Sequence, residues 1–452
     1  MRVPCPGPLR RREFLRAGVL GLGGLSLGNL MQARAAQPAA QRDTSIILFW
    51  MWGGPSQLET YDLKPDAPSE YRGPFRPIPT NVPGLDICEL FPQQARLADK
   101  FSLVRSLHHE MSAHNDGSIE VLTGKTPRLP DPTSTSRSEH PDFGMVAARC
   151  RGSRADGLPN YVGIPRQPFM TQPNYLGVSQ SAFATGDPAV DKFRAPNLEL
   201  AAGLDARRLD DRSGLVSQFD RFRRGLDLHG SLAGTEDFRA GALRVLTSQQ
   251  VSAAFDLGRE EPRLRDRYGR HLWGQSFLLA RRLAEAGTAV VTIDALAPTL
   301  SDRYFSWDDH INPQTRWDMA DAMRYRAPFM DQGLSALIED LHERGLDRRI
   351  LVVAMGEFGR TPRLVNSAGL IGRDHWPAAM SALVSGGGLR MGQVVGATNS
   401  KGEFPQERPL TPQDLLATMY RHLGIDPRPE FDDFGGRPIP ILPHGEPIRE
   451  LI

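Results

Sequence analysis

Cysteine is scarce in this chain, with three in 452 residues, and Cys5 lies in an N-terminal segment that has the marks of a removable leader. Cys88 and Cys150 are far apart and form no Cys-x-x-Cys spacing, which excludes a thiolate metal site and leaves one disulfide or two free thiols. Lysine is also rare, at five of 54 basic residues, and no arginine cluster takes its place, so a nucleic-acid or anionic-membrane footprint is absent. No Gly-x-Ser-x-Gly elbow occurs, which removes the basis for a serine esterase of the α/β-hydrolase type. The bare run Gly386-Gly387-Gly388 lacks the spaced glycines of a dinucleotide site and reads as a turn. Internal repeats are missing too.

Arg11-Arg12-Glu13-Phe14-Leu15-Arg16 precedes a Gly- and Leu-rich apolar stretch from Ala17 to Met31, and Ala33-Arg34-Ala35 supplies small residues at cleavage spacing. Residues 1–35 therefore look like a twin-arginine export signal cleaved after Ala35, which places the mature chain in the periplasm or outside the cell. The apolar stretch of about fifteen residues is shorter than the roughly 20 needed to span a bilayer. Without the leader the formal charge falls from +1 to about −4.

From residue 44 onward the chain alternates strand and helix signals. Ser45 to Trp52 is a continuous apolar run closed by Gly53-Gly54-Pro55, and Phe101–Leu107, Tyr161–Ile164, Ala289–Ile293, Ile350–Met355 and Met380–Val384 are further strand candidates. Leu215, Phe219, Phe222 and Leu226 recur at helical spacing, and Leu272–Glu285 and Gly333–Arg344 behave alike. This rhythm predicts one α/β domain over residues 44–452, a doubly wound, mostly parallel sheet with helices on both faces. The Arg-rich section from about 200 to 286 interrupts it as a helical cap or insertion.

Three short segments concentrate hard-ligand residues: Trp307-Asp308-Asp309-His310, Gly356-Glu357-Phe358-Gly359-Arg360-Thr361-Pro362 and Gly372-Arg373-Asp374-His375-Trp376-Pro377. A single Asp, Glu or His after a strand is most often a turn former or cap. Three such clusters near the ends of buried strands point instead to a metal or catalytic site. Two other motifs fail on spacing. His109-Glu110 and His114 stand at i, i+5, where a zinc-protease helix needs i, i+4, and Thr123-Gly124-Lys125-Thr126 has its upstream Gly117 two positions too far for a phosphate loop.

Phe49-Trp50-Met51-Trp52-Gly53-Gly54-Pro55-Ser56-Gln57-Leu58-Glu59-Thr60-Tyr61-Asp62, with the three segments above and the leader, closely resembles the exported DUF1501 family, over residue 44 to Pro438-Ile439-Pro440. The resemblance implies the fold of the alkaline phosphatase and sulfatase superfamily, a doubly wound sheet with one or two ions at its strand ends. Carried over, the superfamily's metal residues fall on Asp308 and His310 of one loop and on His375. Its Asp-His pair falls on Glu357 and Phe358, of which only the first can ligate. His114 stands where a nucleophile is expected, and is read as a ligand, a nucleophile or a lost function. Gln57, Glu59 and Asp62 follow the first strand where a metal-binding Asp is expected, Glu59 and Asp62 being the candidates.

These positions imply an exported hydrolase of phosphate or sulfate esters, on a small molecule or a polysaccharide. Asp308, His310, Glu357, Asp374 and His375, with Glu59 or Asp62, would hold a divalent ion near His114, and Arg360 and Arg373 would clamp the anion or order the metal loops. Mixed nitrogen and oxygen donors suit zinc or manganese, while more carboxylate and water would admit calcium or magnesium. The absence of a Cys/Ser-x-Pro-x-Arg sequence speaks against a standard sulfatase mechanism. The rival reading is an exported binding or structural protein that retains the scaffold.

Overall fold

A computed structural model describes residues 43–196, 248–299, 304–311 and 317–452. The leader and the periodic residues Leu215, Phe219, Phe222 and Leu226 lie outside the described residues. Thr44–Ile452 form one compact unit.

The strands that build the sheet and the site are β1 (Ser45–Trp50), β2 (Phe101–Leu107), β3 (Tyr161–Ile164), β4 (Phe183–Ala184), β5 (Val290–Asp294), β6 (Ile350–Met355), β7 (Gly359–Arg360), β8 (His375–Trp376), β9 (Met380–Gly386) and β10 (Val394–Val395). Eight of them form one sheet in the order β10-β2-β9-β6-β1-β5-β3-β4. Only β9 runs antiparallel to its neighbours. The architecture is α/β with a mostly parallel sheet, and all six strand candidates of the sequence are strands in it. Their continuous apolar character has a simple cause, because a strand covered on both faces buries every side chain. β1 and β6 are buried along their whole length.

The longer helices among the described residues are α1 (His114–Thr123), α2 (Phe143–Arg151), α3 (Gln249–Phe255), α4 (Pro262–Tyr268), α5 (Leu272–Glu285), α6 (Met319–Glu343) and α7 (Pro412–His422). Ile47 and Phe49 of β1 point into one core with Trp273 and Phe277 of α5 and Leu334 and Leu337 of α6. Ile46, Leu48 and Trp50 point into the other, with Ile119 and Leu122 of α1, Met145 of α2 and Leu416 and Met419 of α7. Side chains that alternate between two cores are what double winding requires.

Two helical expectations change. α5 is a core layer element rather than part of a cap, since Trp273, Phe277 and Leu278 are fully buried. α6 starts fourteen residues before the periodic segment, at Met319, because Asp318 caps it by accepting the amides of Ala320 (2.8 Å) and Asp321 (3.2 Å).

Parallel register brings the central strands to a common edge: Trp50 lies opposite Asp294 of β5 and Met355 of β6. The loops after β1 and β6 therefore leave side by side. Gly53 and Gly54 turn the first of them with φ of +108° and +73°, and a Cβ on Gly53 would run into the backbone of Trp307 and Asp308.

Candidate metal centre

Four side chains from three distant parts of the chain converge at this edge. His114 opens α1 beyond the end of β2, Asp308 and His310 come from the loop after β5, and His375 opens β8. One ligand atom from each lies within 4.8 Å of all the others. His114 places Nε2 3.1 Å from Asp308 Oδ2 and Nδ1 2.7 Å from Glu357 Oε1. His375 Nε2 is 3.4 Å from Asp308 Oδ1, and His310 Nδ1 closes on the same oxygen in a shorter contact.

Backbone and second-layer contacts fix these groups. Glu357 Oε1 also accepts the Gly53 amide at 2.9 Å, and His375 Nδ1 meets the Ser112 carbonyl at 2.8 Å. β7 and β8 pair as a ribbon with His375 opposite Arg360, so the Glu357 loop and the His375 loop form one unit. Trp307 and Asp309 on either side of Asp308 are anchored by Arg326, which pairs with Asp309 and lies 4.7 Å over the Trp307 ring.

The electrostatics follow from burial and opposite charge. Burial alone would push the His114 imidazole down, but Asp308 and Glu357 outweigh it and lift it to about 9. Burial would likewise raise Asp308, yet Arg360 and the three imidazoles hold it well below the usual carboxylate range. His375 sits below its ordinary value, chiefly through burial, with Arg360 and His114 adding repulsion.

Not every residue singled out in the sequence reaches this cluster. Glu357 touches it through His114, and Arg360 through Asp308 at 2.7 Å, but Arg360 is fully buried and also donates to the carbonyls of Gly53 and Gly54. It orders the loops and does not face a ligand. Arg373 is buried against Glu59, so neither is free for a substrate or an ion. Asp62 accepts from Lys64 at 2.9 Å and from Thr398, Gln57 pairs with the main chain of Arg360, and Asp374 is exposed with its amide on Thr361. The resemblance placed Glu59 and Asp62 near the site, but Glu59 meets Arg373 and Asp62 meets Lys64 and Thr398 instead, and Asp374 faces solvent.

Two residues beside the cluster went unread. Trp52 packs its ring against His114 at a tilt of 32° with centroids 5.1 Å apart, and Asp294 ends β5 in an ion pair with Arg166 at 2.9 Å. Burial pushes Asp294 up to about 6, Arg166 offsets part of the rise, and Glu357 adds to it. The available signal was a polar or amphipathic residue closing an apolar strand.

The donor set fits a cation. Glu357 Oε2 is buried with no hydrogen-bond partner, and His114 Nε2 and His375 Nε2 have only the Asp308 carboxylate in front of them. Buried polar atoms of this kind call for a missing partner. Phe358 places its ring 5.2 Å from His114 and 4.7 Å from His375.

The family model described as "Protein of unknown function (DUF1501)" matches residues 43–452. The chain belongs to this family. No curated protein sequence matches it. Among solved structures, this DUF1501 chain is similar to the PsFucS1 sulfatase from Pseudoalteromonas sp., at 12% identity and TM-score 0.37 over 92% of this chain and 72% of that one. It is also similar to the lipoteichoic acid synthase LtaP from Listeria monocytogenes, at 10% identity and TM-score 0.34 over 89% and 79%. A third is the phosphonate monoester hydrolase of Agrobacterium radiobacter, at 12% identity and TM-score 0.33 over 87% and 78%. Likenesses of this size assign no chemistry to the chain.

Proposed function

We propose that this DUF1501 protein is an exported, metal-dependent hydrolase of phosphate or sulfate esters that holds one divalent ion among His114, Asp308, His310 and His375. One observation carries the reading: the ligand atoms of these four converge within 4.8 Å, with the imidazole nitrogens of His114 and His375 both turned onto the Asp308 carboxylate. Three nitrogens and a carboxylate favour zinc or manganese over calcium or magnesium. The motif resemblance supports a phosphate or sulfate ester as substrate, and the twin-arginine leader supports a periplasmic or extracellular site of action.

A divalent ion held there would polarise an ester oxygen and lower the pKa of a bound water. The protein's own contribution is placement. Glu357 receives His114 at Nδ1 and so turns Nε2 toward Asp308, which is how an outer carboxylate sets the orientation of a ligating imidazole. Arg360 holds Asp308 ionised. Trp52 and Phe358 wall the His114 ring on apolar surfaces and keep water from its faces. In this reading water is the attacking group and His114 serves as a ligand.

The burial of Arg360 and the presence of Phe358 favour a second reading, an exported binding protein with a structural ion. Plasma mass spectrometry of the leader-free protein and of the Asp308→Ala, His375→Ala double variant separates the two from each other and from an ion-free scaffold. About one equivalent of metal, lost in the variant together with phosphate or sulfate ester hydrolysis, supports the enzyme. Metal without turnover on either ester class supports the binding protein, and a metal-free wild type that cannot be reconstituted overturns both.

A further inference from the structure

The segment after α1 lines a solvent-open pocket, of about 180 Å³, that shares no residue with the metal cluster. His114 begins the ten-residue α1 and Lys125 follows its end, which sets the two sites about 15 Å apart along the helix. Lys125, Arg128, Arg137 and His140 line the cavity against a single carboxylate, Glu139, with Thr126 and Ser136 adding hydroxyls. Lys125 and Thr126, the end of a stretch that fails as a nucleotide loop, are thus part of a different basic pocket.

Its positive charge is largely unanswered. The Lys125 ammonium donates to the Ile441 carbonyl at 2.8 Å and forms no ion pair among the described residues. Arg137 has none either, and Arg128 meets only Glu139, at 3.4 Å, in a pair that is more than half exposed on both sides. The nearby Asp433 is committed to Arg437 at 2.7 Å. Burial lowers Lys125 to about 8, and burial with the charges of Lys125 and Arg128 lowers His140 to about 4. A site that penalises its own cations gains from an anion.

We propose that this cavity is an anion site, distinct from the metal centre, for a tetrahedral oxyanion: phosphate or sulfate, free or as the terminal group of a sugar ester. At roughly 30 Å³ per water, the volume holds about six waters, enough for such a group with part of its hydration and below the roughly 300 Å³ of a drug-sized pocket. Arg128 and Arg137 offer planar donors and Lys125 a point charge, the combination that phosphate and sulfate recognition uses.

The test is calorimetric titration of the leader-free chain, stripped with chelator so that the metal centre does not report, with inorganic phosphate, inorganic sulfate, glucose 6-phosphate and glucose 6-sulfate. Arg137→Gln changes an exposed residue and keeps the fold, and Lys125→Gln removes the half-buried ammonium. The expected result is one-site binding weakened about tenfold in each variant. Tighter binding of the sugar esters than of the inorganic ions identifies the terminal-group source, and equal binding the free ion. A second readout is independent of the variants: acetylation of Lys125 at pH 8, followed by mass spectrometry, slows when the anion is present. Absence of binding, binding indifferent to both substitutions, or unchanged acetylation of Lys125 overturns the proposal.

Discussion

Arg373 and Glu59, 314 residues apart in the chain, meet in an ion pair with no exposed surface on either side chain, Nη2 to Oε1 at 2.8 Å. The guanidinium also donates to the carbonyls of Tyr71, Thr361 and Pro362. This pair fastens the loop that carries His375 to the segment after β1. Breaking one side of such a pair leaves a buried charge uncompensated, at about 3–5 kcal/mol. Arg373→Met or Glu59→Met should each lower stability by that order in denaturant melts, and the double substitution should lose less than the sum of the two. Additive losses would refute the coupling.

Arg360 supports the metal centre from behind. It donates to Asp308 at 2.7 Å and to the Gly54 carbonyl at 2.8 Å. Loss of an outer partner of a ligand typically lowers metal affinity about 10–100-fold. Arg360→Gln should show that fall in a competitive chelator titration, and Arg360→Lys should recover only part of it because a lysine lacks the planar fork. An unchanged affinity would separate Arg360 from the site.

Gly53 has φ of +108° and sits against the Trp307–Asp308 backbone. Gly53→Ala brings both strain and a clash, and strain at such a position alone costs about 1–3 kcal/mol. Bound metal should fall along with stability, because Asp308 must move away. A variant that melts lower yet keeps full metal content would show that the close approach is not needed for the site.

Asp142 caps α2 by accepting the Met145 amide at 2.9 Å and also receives the Tyr161 hydroxyl at 3.0 Å. Burial raises its carboxyl to about 6, with these bonds offsetting part of the rise. A folded value above the unfolded one means a contribution to stability that is complete below about pH 4 and is lost as pH rises through about 6. The two-unit rise is worth at most about 3 kcal/mol. Asn keeps the cap without the charge. Guanidinium melts at pH 4, 5, 6 and 7 should therefore show wild type losing stability relative to Asp142→Asn as pH rises, and parallel curves would count against the shift.

The sheet was legible from local signal. Ile350–Met355 and the run from Ser45 are apolar at every position, which is the signature of strands covered on both faces. The full extent of α6 was less legible, because Pro328 interrupts the propensity pattern while the Asp318 cap and the core at Leu334 and Leu337 carry the helix. At the site, Asp308, His310 and His375 stood out as ligand types beyond strand ends. The fates of Glu59, Asp62 and Arg373 did not, since a buried ion pair between segments 314 residues apart leaves no local pattern.

By itself the sequence determined the strands, the family and the loops that carry ligand chemistry, because continuous burial and short motifs are properties of neighbouring residues. Only the tertiary structure decided which polar groups meet. His114 and Glu357, 243 residues apart, come together because parallel register aligns the ends of β1 and β6 and brings α1 to the same edge. The same packing turns Glu59 and Arg373 toward each other and leaves the nitrogens of His114 and His375 facing Asp308.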